Sequence, residues 1–477
     1  MKRASGVLMH ISSLFGDYSV GSFSHCAEYF IDFLKDSGFS YWQVLPLCMT
    51  DEYNSPYKSY SLFGANPYFI DLETLYYKGL LTGDELDKAR QTSPYLCEYN
   101  RLRDERIKLL SVAASRVIDR EPVISYVNSI PELENAAKFL ALKEINGGKP
   151  WQEFDITDPD VDTLFTWQFI QYEFFTQWKK IKNYANSRGI KIIGDLPIYV
   201  ALDSADVWAS PESYQLNSDN YPTAVAGVPP DYFSEDGQLW YNPLYNWDKI
   251  KRDGYKLWRD KLSFMLKLYD GVRIDHFRGL EAYWSVPADA KSAKEGKWVK
   301  GPGRELIDAL KDVAGDKLII AEDLGNITKE VEELLTYSNF PGMRVFQFAF
   351  LGDKETPHLP HNYVKNSVAY TGTHDNNTLL GYIWEQPREQ REEMFDYCSA
   401  TGEEWSFACE KILRVLLASV SDLVIFPIQD ILGYGRDTRM NTPGVADKNW
   451  SYRITKGQLD GIDRKKFYCL NKLYSRI

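Results

Sequence analysis

Cysteine is scarce and unpatterned in this 477-residue chain, with six copies at positions 26, 48, 97, 398, 409 and 469. No C-x-x-C pair occurs, so neither a zinc site nor a disulfide framework is indicated, and buried reduced thiols are expected. Histidine is equally sparse at six. His358 and His361 have a metal-like spacing, but a proline separates them and no carboxylate or cysteine cluster accompanies them, so no metal is assigned. His10 and His25 read as ordinary core or surface side chains. No apolar run approaches the roughly 18 residues of a membrane span. The opening "MKRASGVLMHISSLFG" is broken by His10, Ser12, Ser13 and Asp17, and is read as a first strand, not a signal peptide; a cytoplasmic protein is expected. Neither "GPGRE" nor "GYGRD" completes a dinucleotide fingerprint and no phosphate loop is present, so no such cofactor is expected. Basic charge is also short. With 55 Lys and Arg against 67 Asp and Glu the net charge is −12, which argues against a nucleic-acid surface built on clustered cations.

What the chain has is aromatic residues and repeated buried strands. The 32 Tyr and 13 Trp can stack on the flat apolar faces of sugars, although a large core also uses them. Eight apolar runs read as parallel strands buried on both faces: 6–12, 41–47, 190–200, 269–277, 317–325, 343–350, 367–375 and 423–431. Helical stretches separate them. In "GRELIDALKDVAG", Leu306, Ile307, Leu310 and Val313 keep helical spacing and Gly315 stops the helix. The stretch 161–188 is similar, with Gly189 after it. The pattern predicts an α/β fold, a (β/α)8 TIM barrel with inserted subdomains, as one catalytic body over residues 1–477. Residues 80–150, opening with the capping box Thr82-Gly-Asp-Glu85, are predicted to form a helical insertion. Residues 203–248, rich in Pro, Asn, Asp and aromatics, are predicted to form an irregular loop region covering the active site.

Barrel enzymes gather their chemistry at the C-terminal ends of the strands. Asp275, Glu322 and Asp375 each follow an apolar run at such an end. Asp275 and Glu322 fall on consecutive runs, so neighbouring strands about 4.8 Å apart would carry them. That is close to the roughly 5–5.5 Å between carboxyls that favours a covalent glycosyl-enzyme and retention of configuration. Arg273, two residues before Asp275 and on the same side, is expected to hold it ionised as a nucleophile. Desolvation and the nearby Asp275 charge are expected to raise Glu322 toward the range of a general acid. His276 and His374 adjoin carboxylates and can donate to sugar hydroxyls. Taken singly, an Arg-x-Asp pair can be a buried ion pair and "AEDLG" can cap a helix; recurrence at three strand ends selects the catalytic reading.

The chain resembles the 4-α-glucanotransferases (amylomaltases or disproportionating enzymes) of glycoside hydrolase family 77, in the α-amylase clan. The resemblance spans nearly the whole length and is carried by "SPYKSYSLFGANPYFIDL", "GDLPIYVALDSADVWA", "AGVPPDYFSEDGQLWYNPLYNW", "GVRIDHFRGL", "AEDLG", "PGMRVFQFAF", "YTGTHDNNT" and "RMNTPG". It implies Asp275 as nucleophile, Glu322 as acid/base and Asp375 as the carboxylate that stabilises the distorted donor sugar. It further implies that Arg273, His276 and His374 surround that sugar, that Tyr57 and Ser59 line the glucan groove, and that Asn441 reaches the site after the last strand. The loop from Gly227 to Trp240, with Asp231, Tyr232 and Phe233 at its centre, is implied to cover the acceptor channel. Asn377 replaces a common acid and Tyr241 a common glycine, departures that bear on acceptor preference. The likeness is to the short form of the family, implying linear maltooligosaccharides and glucans as partners, with glucose as an acceptor.

The resulting expectation is a two-step retaining transfer of an α-1,4-glucan segment to the 4-hydroxyl of another glucan or of glucose. An α-1,4-glucan hydrolase of the same clan would use the same acids and differ only in what resolves the intermediate. A non-catalytic glucan-binding protein would have lost one acid, and all three are present.

Overall fold

The structure is a computed structural model and describes residues 2–230, 235–402, 404–445 and 448–477. Among the described residues there are twelve strands: β1 (Ala4–Leu8), β2 (Tyr41–Gln43), β3 (Lys191–Leu196), β4 (Ala224–Val228), β5 (Gln238–Pro243), β6 (Gly271–Ile274), β7 (Ala282–Pro287), β8 (Lys297–Lys300), β9 (Leu318–Ala321), β10 (Gly342–Val345), β11 (Ser367–Tyr370) and β12 (Leu423–Pro427). Eight of them close into a parallel barrel in the order β1-β12-β11-β10-β9-β6-β3-β2, and these are the eight expected runs. The two-residue alternation of a strand then sorts the side chains. Leu8, Tyr41, Ile193, Ile320, Met343, Val345, Val368, Tyr370, Leu423 and Ile425 pack together inside the barrel. Val7, Trp42, Ile192, Val272, Ile274, Ile319, Val424 and Phe426 belong to the larger core shared with the helices.

Two expectations about strands are corrected. The barrel strands are shorter than the apolar runs: β3 stops at Leu196 and β6 at Ile274. Pro197 to Val200 stay buried without ladder pairing, so burial outlasts the strand. Within 203–248, expected to be irregular, β4 and β5 pair with each other and form with β7 and β8 a four-stranded antiparallel sheet, order β5-β4-β7-β8. A register shift between Val225 and Gly227 interrupts the alternation that would have signalled it.

The insertion at 80–150 is helical, with helices at Gly83–Ala89, Tyr99–Ser115, Glu121–Asn128 and Pro131–Ile145. Both bonds of the Thr82–Glu85 capping box form. Leu102, Leu110, Val123, Leu133 and Leu140 from these helices join Phe165 and Phe169 of the helix Val161–Ser187 in the main core, so the insertion extends the barrel's core. In the helix Gly303–Ala314, Leu306, Ile307 and Leu310 are buried and Val313 is partly so. Five cysteines are buried, but Cys469 is exposed, against the expectation for all six. Among the described residues no helix is long and apolar enough to cross a membrane.

Candidate active site

The barrel register sets the first pair of acids. Arg273 lies opposite Ile320 and Ile274 opposite Ala321, so the next residues, Asp275 and Glu322, emerge level at the C-terminal rim. The ladder continues one step beyond the strands: the Asp275 amide donates to the Leu196 carbonyl and the Glu322 amide to the Ile274 carbonyl, both at 3.0 Å. Inside the barrel, where β9 supplies the apolar Ile320, β6 supplies Arg273, only 3% exposed, opposite Asp195 of β3. Its Nη1 donates to Asp275 Oδ1 at 2.7 Å, and its Nε lies 3.4 Å from Asp195 Oδ2. Asp195 is fully buried on β3 and also accepts from the Tyr57 hydroxyl at 2.8 Å. Arg273 is thus a buried cation between two carboxylates, and they hold its charge firmly.

Arg273 was expected to hold Asp275 ionised, and its contact favours the anion, but it works against burial. Burial is the larger influence and pushes the Asp275 carboxyl above its ordinary range; the Arg273 guanidinium and His374 pull it back. Glu322 differs in kind. Among the described residues its two oxygens accept main-chain donors alone, the His276 amide at 2.6 Å and the Leu324 amide at 3.2 Å. Burial first, and the Asp275 charge second, push it up to about 8, which keeps it protonated at neutral pH. To aim that amide, His276 takes a left-handed conformation, φ 51°, a strained state costing about 1–2 kcal/mol in a non-glycine residue. Asp323 is the structural half of the acid pair: it accepts from the Met343 amide and from Arg344 Nη1 at 3.0 Å. A Cβ at position 342 would stand 2.5 Å from its Oδ2, so only glycine admits this approach.

The third acid stands on the loop after β11. Asp375 is 47% exposed, while neighbouring His374 is buried, its Nε2 3.3 Å from Asp375 Oδ2. The Tyr57 ring stacks on His374 at 4.9 Å and 11°, so Tyr57 joins the Asp195–Arg273 cluster to the His374–Asp375 pair. Asn441, read as a residue reaching the site, puts its side-chain amide on Asp375 Oδ1, and its main-chain N–H on the His374 carbonyl at 3.2 Å. Burial lowers both His276, to about 4, and His374, so both rings are neutral at pH 7.

Asp275 and Asp375 border a cleft of about 630 Å³ whose walls include Tyr57, Tyr199, Trp240 and Trp450. Trp240 meets His276 edge-on at 5.0 Å, which brings the β4–β5 hairpin to the rim. Ser59 does not line the cleft; it bridges to Thr50 and approaches Cys48 instead. Asp231, Tyr232 and Phe233 lie outside the described residues. Tyr241 has φ 61°, a left-handed conformation that glycine adopts without strain. Buried Asn377 accepts at Oδ1 from the Thr378 amide. Sequence reading passed over Asp195, because it sits inside the apolar run "IKIIGDLPIYV", and over Arg439, whose Nη2 donates to the Asp375 carbonyl. A charge within a doubly buried strand was the available signal for Asp195.

The profile of glycoside hydrolase family 77, described as 4-alpha-glucanotransferase, matches residues 9–459. The 4-alpha-glucanotransferase of Clostridium butyricum is 41% identical over 490 residues, covering 98% of this chain and all of that one. That of Streptococcus pneumoniae TIGR4 is 42% identical over 496 residues, covering 100% and 98%. Among solved structures, the amylomaltase from Streptococcus agalactiae in complex with acarbose superimposes with a TM-score of 0.94 at 36% identity, over the full length of both chains.

Proposed function

The chain belongs to glycoside hydrolase family 77, the 4-alpha-glucanotransferases, and on that premise we propose how its three carboxylates divide the work. The enzyme transfers glucan segments. In our reading, Glu322 gives its proton to the glycosidic oxygen of an α-1,4 bond while Asp275 attacks C1; the C1–O bond breaks and an ester to Asp275 forms. The shortened glucan leaves with that proton. Glu322, now ionised, takes the proton of an incoming 4-hydroxyl, whose oxygen displaces Asp275 from C1 and restores the α configuration.

One observation carries this division: level Asp275 and Glu322, of which, among the described residues, only Asp275 touches a guanidinium. The group with the cation is the better stabilised anion; the group with only amide donors and an anionic neighbour is the better proton source. Asp375, held toward the cleft by Asn441, takes the ring hydroxyls of the donor sugar, and neutral His276 and His374 hydrogen-bond around it. Maltooligosaccharides fit the aromatic walls as donors, and glucose or a second maltooligosaccharide as acceptor.

Incubation with maltotriose tests the reading. The expected products are a ladder of longer glucans with free glucose and little gain in reducing ends. A steady rise in reducing ends without longer products would favour hydrolysis. Asp275→Asn should abolish the ladder, and its persistence at the parent rate would dismiss Asp275 as nucleophile.

A further inference from the structure

Asp430 takes no part in the steps above, yet it is 2% exposed and sits in the helical turn Ile428–Leu432 just past β12. Its Oδ1 accepts from the Leu379 amide at 2.7 Å and its Oδ2 from the Thr371 hydroxyl. Thr371 and Leu379 are the two ends of the loop that presents His374 and Asp375. One carboxylate therefore closes that loop at its base. Among the described residues no ion pair involves it, and burial pushes it up to about 6. A buried acid without a cation is costly, so its two donors are its compensation.

The rest of the loop is strapped from other directions. Gln347, past β10, donates its side-chain amide to the Asn377 carbonyl at 2.8 Å. Thr378 accepts from the Gly381 amide at 3.1 Å and caps the helix Leu379–Glu385. At the tip, Arg439 and Asn441 hold the Asp375 main chain and carboxylate. Asp430 alone of these ties both ends together, so it fixes where the half-exposed Asp375 carboxylate stands.

We propose that Asp430 is a positioning residue, acting on the reaction through Asp375. The proposal rests on the reading of Asp375 as the third catalytic carboxylate. Asp430→Ala is expected to lower kcat on maltotriose by about 10- to 100-fold, the scale of a displacement near 1 Å at a reacting centre, with KM little changed. Asp430→Asn can still accept from Leu379 and can donate to the Thr371 oxygen, so it should recover most of that loss. Thr371→Val removes one of the two bonds and should fall between.

A double-mutant cycle separates positioning from mere support of the fold. In an Asp375→Asn background, Asp430→Ala should change kcat by less than about twofold, because the group it positions is gone. An equal loss in both backgrounds, or parental kcat in Asp430→Ala, overturns the proposal. If Asp430→Ala does not fold, Thr371→Val gives the same cycle, and parental kcat there overturns it too. Parental kcat in Asp375→Asn alone would instead remove the reading of Asp375, and the proposal with it.

Discussion

In the proposed reading, Glu322 serves the reaction while weakening the fold. An unfolded glutamate titrates near 4.3, whereas burial and the Asp275 charge raise the folded group to about 8. Below pH 4 both states hold the proton and the difference vanishes. Between the two values the folded chain keeps a proton that the unfolded chain has released, so stability falls as pH rises, and the penalty is complete above the folded value. Glu322→Gln, which never ionises, should remove this slope. Urea unfolding at pH 5, 7 and 8.5 is expected to show the variant gaining on the parent by at least about 1 kcal/mol across that range, while kcat falls by about 10²–10⁴ for loss of the acid/base. Parallel stability profiles would mean that Glu322 is not held protonated by its surroundings.

At the scale of elements, the proposed reading gives the β4–β5 hairpin a part in whether sugar or water resolves the intermediate. Trp240 projects from β5 against His276 and Tyr199, at 5.0 and 6.2 Å between ring centres, covering one side of the cleft. Trp240→Ala should admit water and raise the share of hydrolysis several-fold, read as reducing ends gained per glucose transferred from maltotriose; an unchanged ratio would take the hairpin out of the partition. That hairpin is also where the sequence was least legible. The barrel strands announced themselves because each is apolar on both faces, but in the small sheet β7 and β8, "AYWSVP" and "KWVK", are largely half exposed or exposed, and β4 pairs with the sequence-distant β7. Strand ends were overrun for a related reason: Pro197 and Ile198 remain buried under the site after the ladder has ended. Asp275, Glu322 and Asp375 were legible as acids at strand ends. Asp195 and Asp430 were not, since their meaning comes from partners 78 and about 50–60 positions away.

The whole molecule separates these functions by face. The proposed chemistry occupies the C-terminal rim of the barrel, while its opposite end is joined by Arg476, fully buried near position 477. Its guanidinium donates to the carbonyls of Leu417, Ala4, Ser421 and Ser419 at 2.8–3.1 Å, gripping the seam where β1 meets β12 from the side remote from Asp275. Burial lowers its affinity for the proton, to about 9, yet at neutral pH the charge persists, distributed over main-chain dipoles. Arg476→Met would remove those four bonds; Leu417 and Ser419 still accept from Arg3, while Ala4 and Ser421 lose a buried charged donor, at a cost of about 3 kcal/mol. The expected outcome is a melting temperature lower by several degrees with kcat and KM on maltotriose at 25 °C unaltered, the inverse of Glu322→Gln. A fall in kcat without a fall in melting temperature would show that the closing seam and the catalytic rim are coupled, contrary to the division expected of a barrel whose two ends carry stability and chemistry separately.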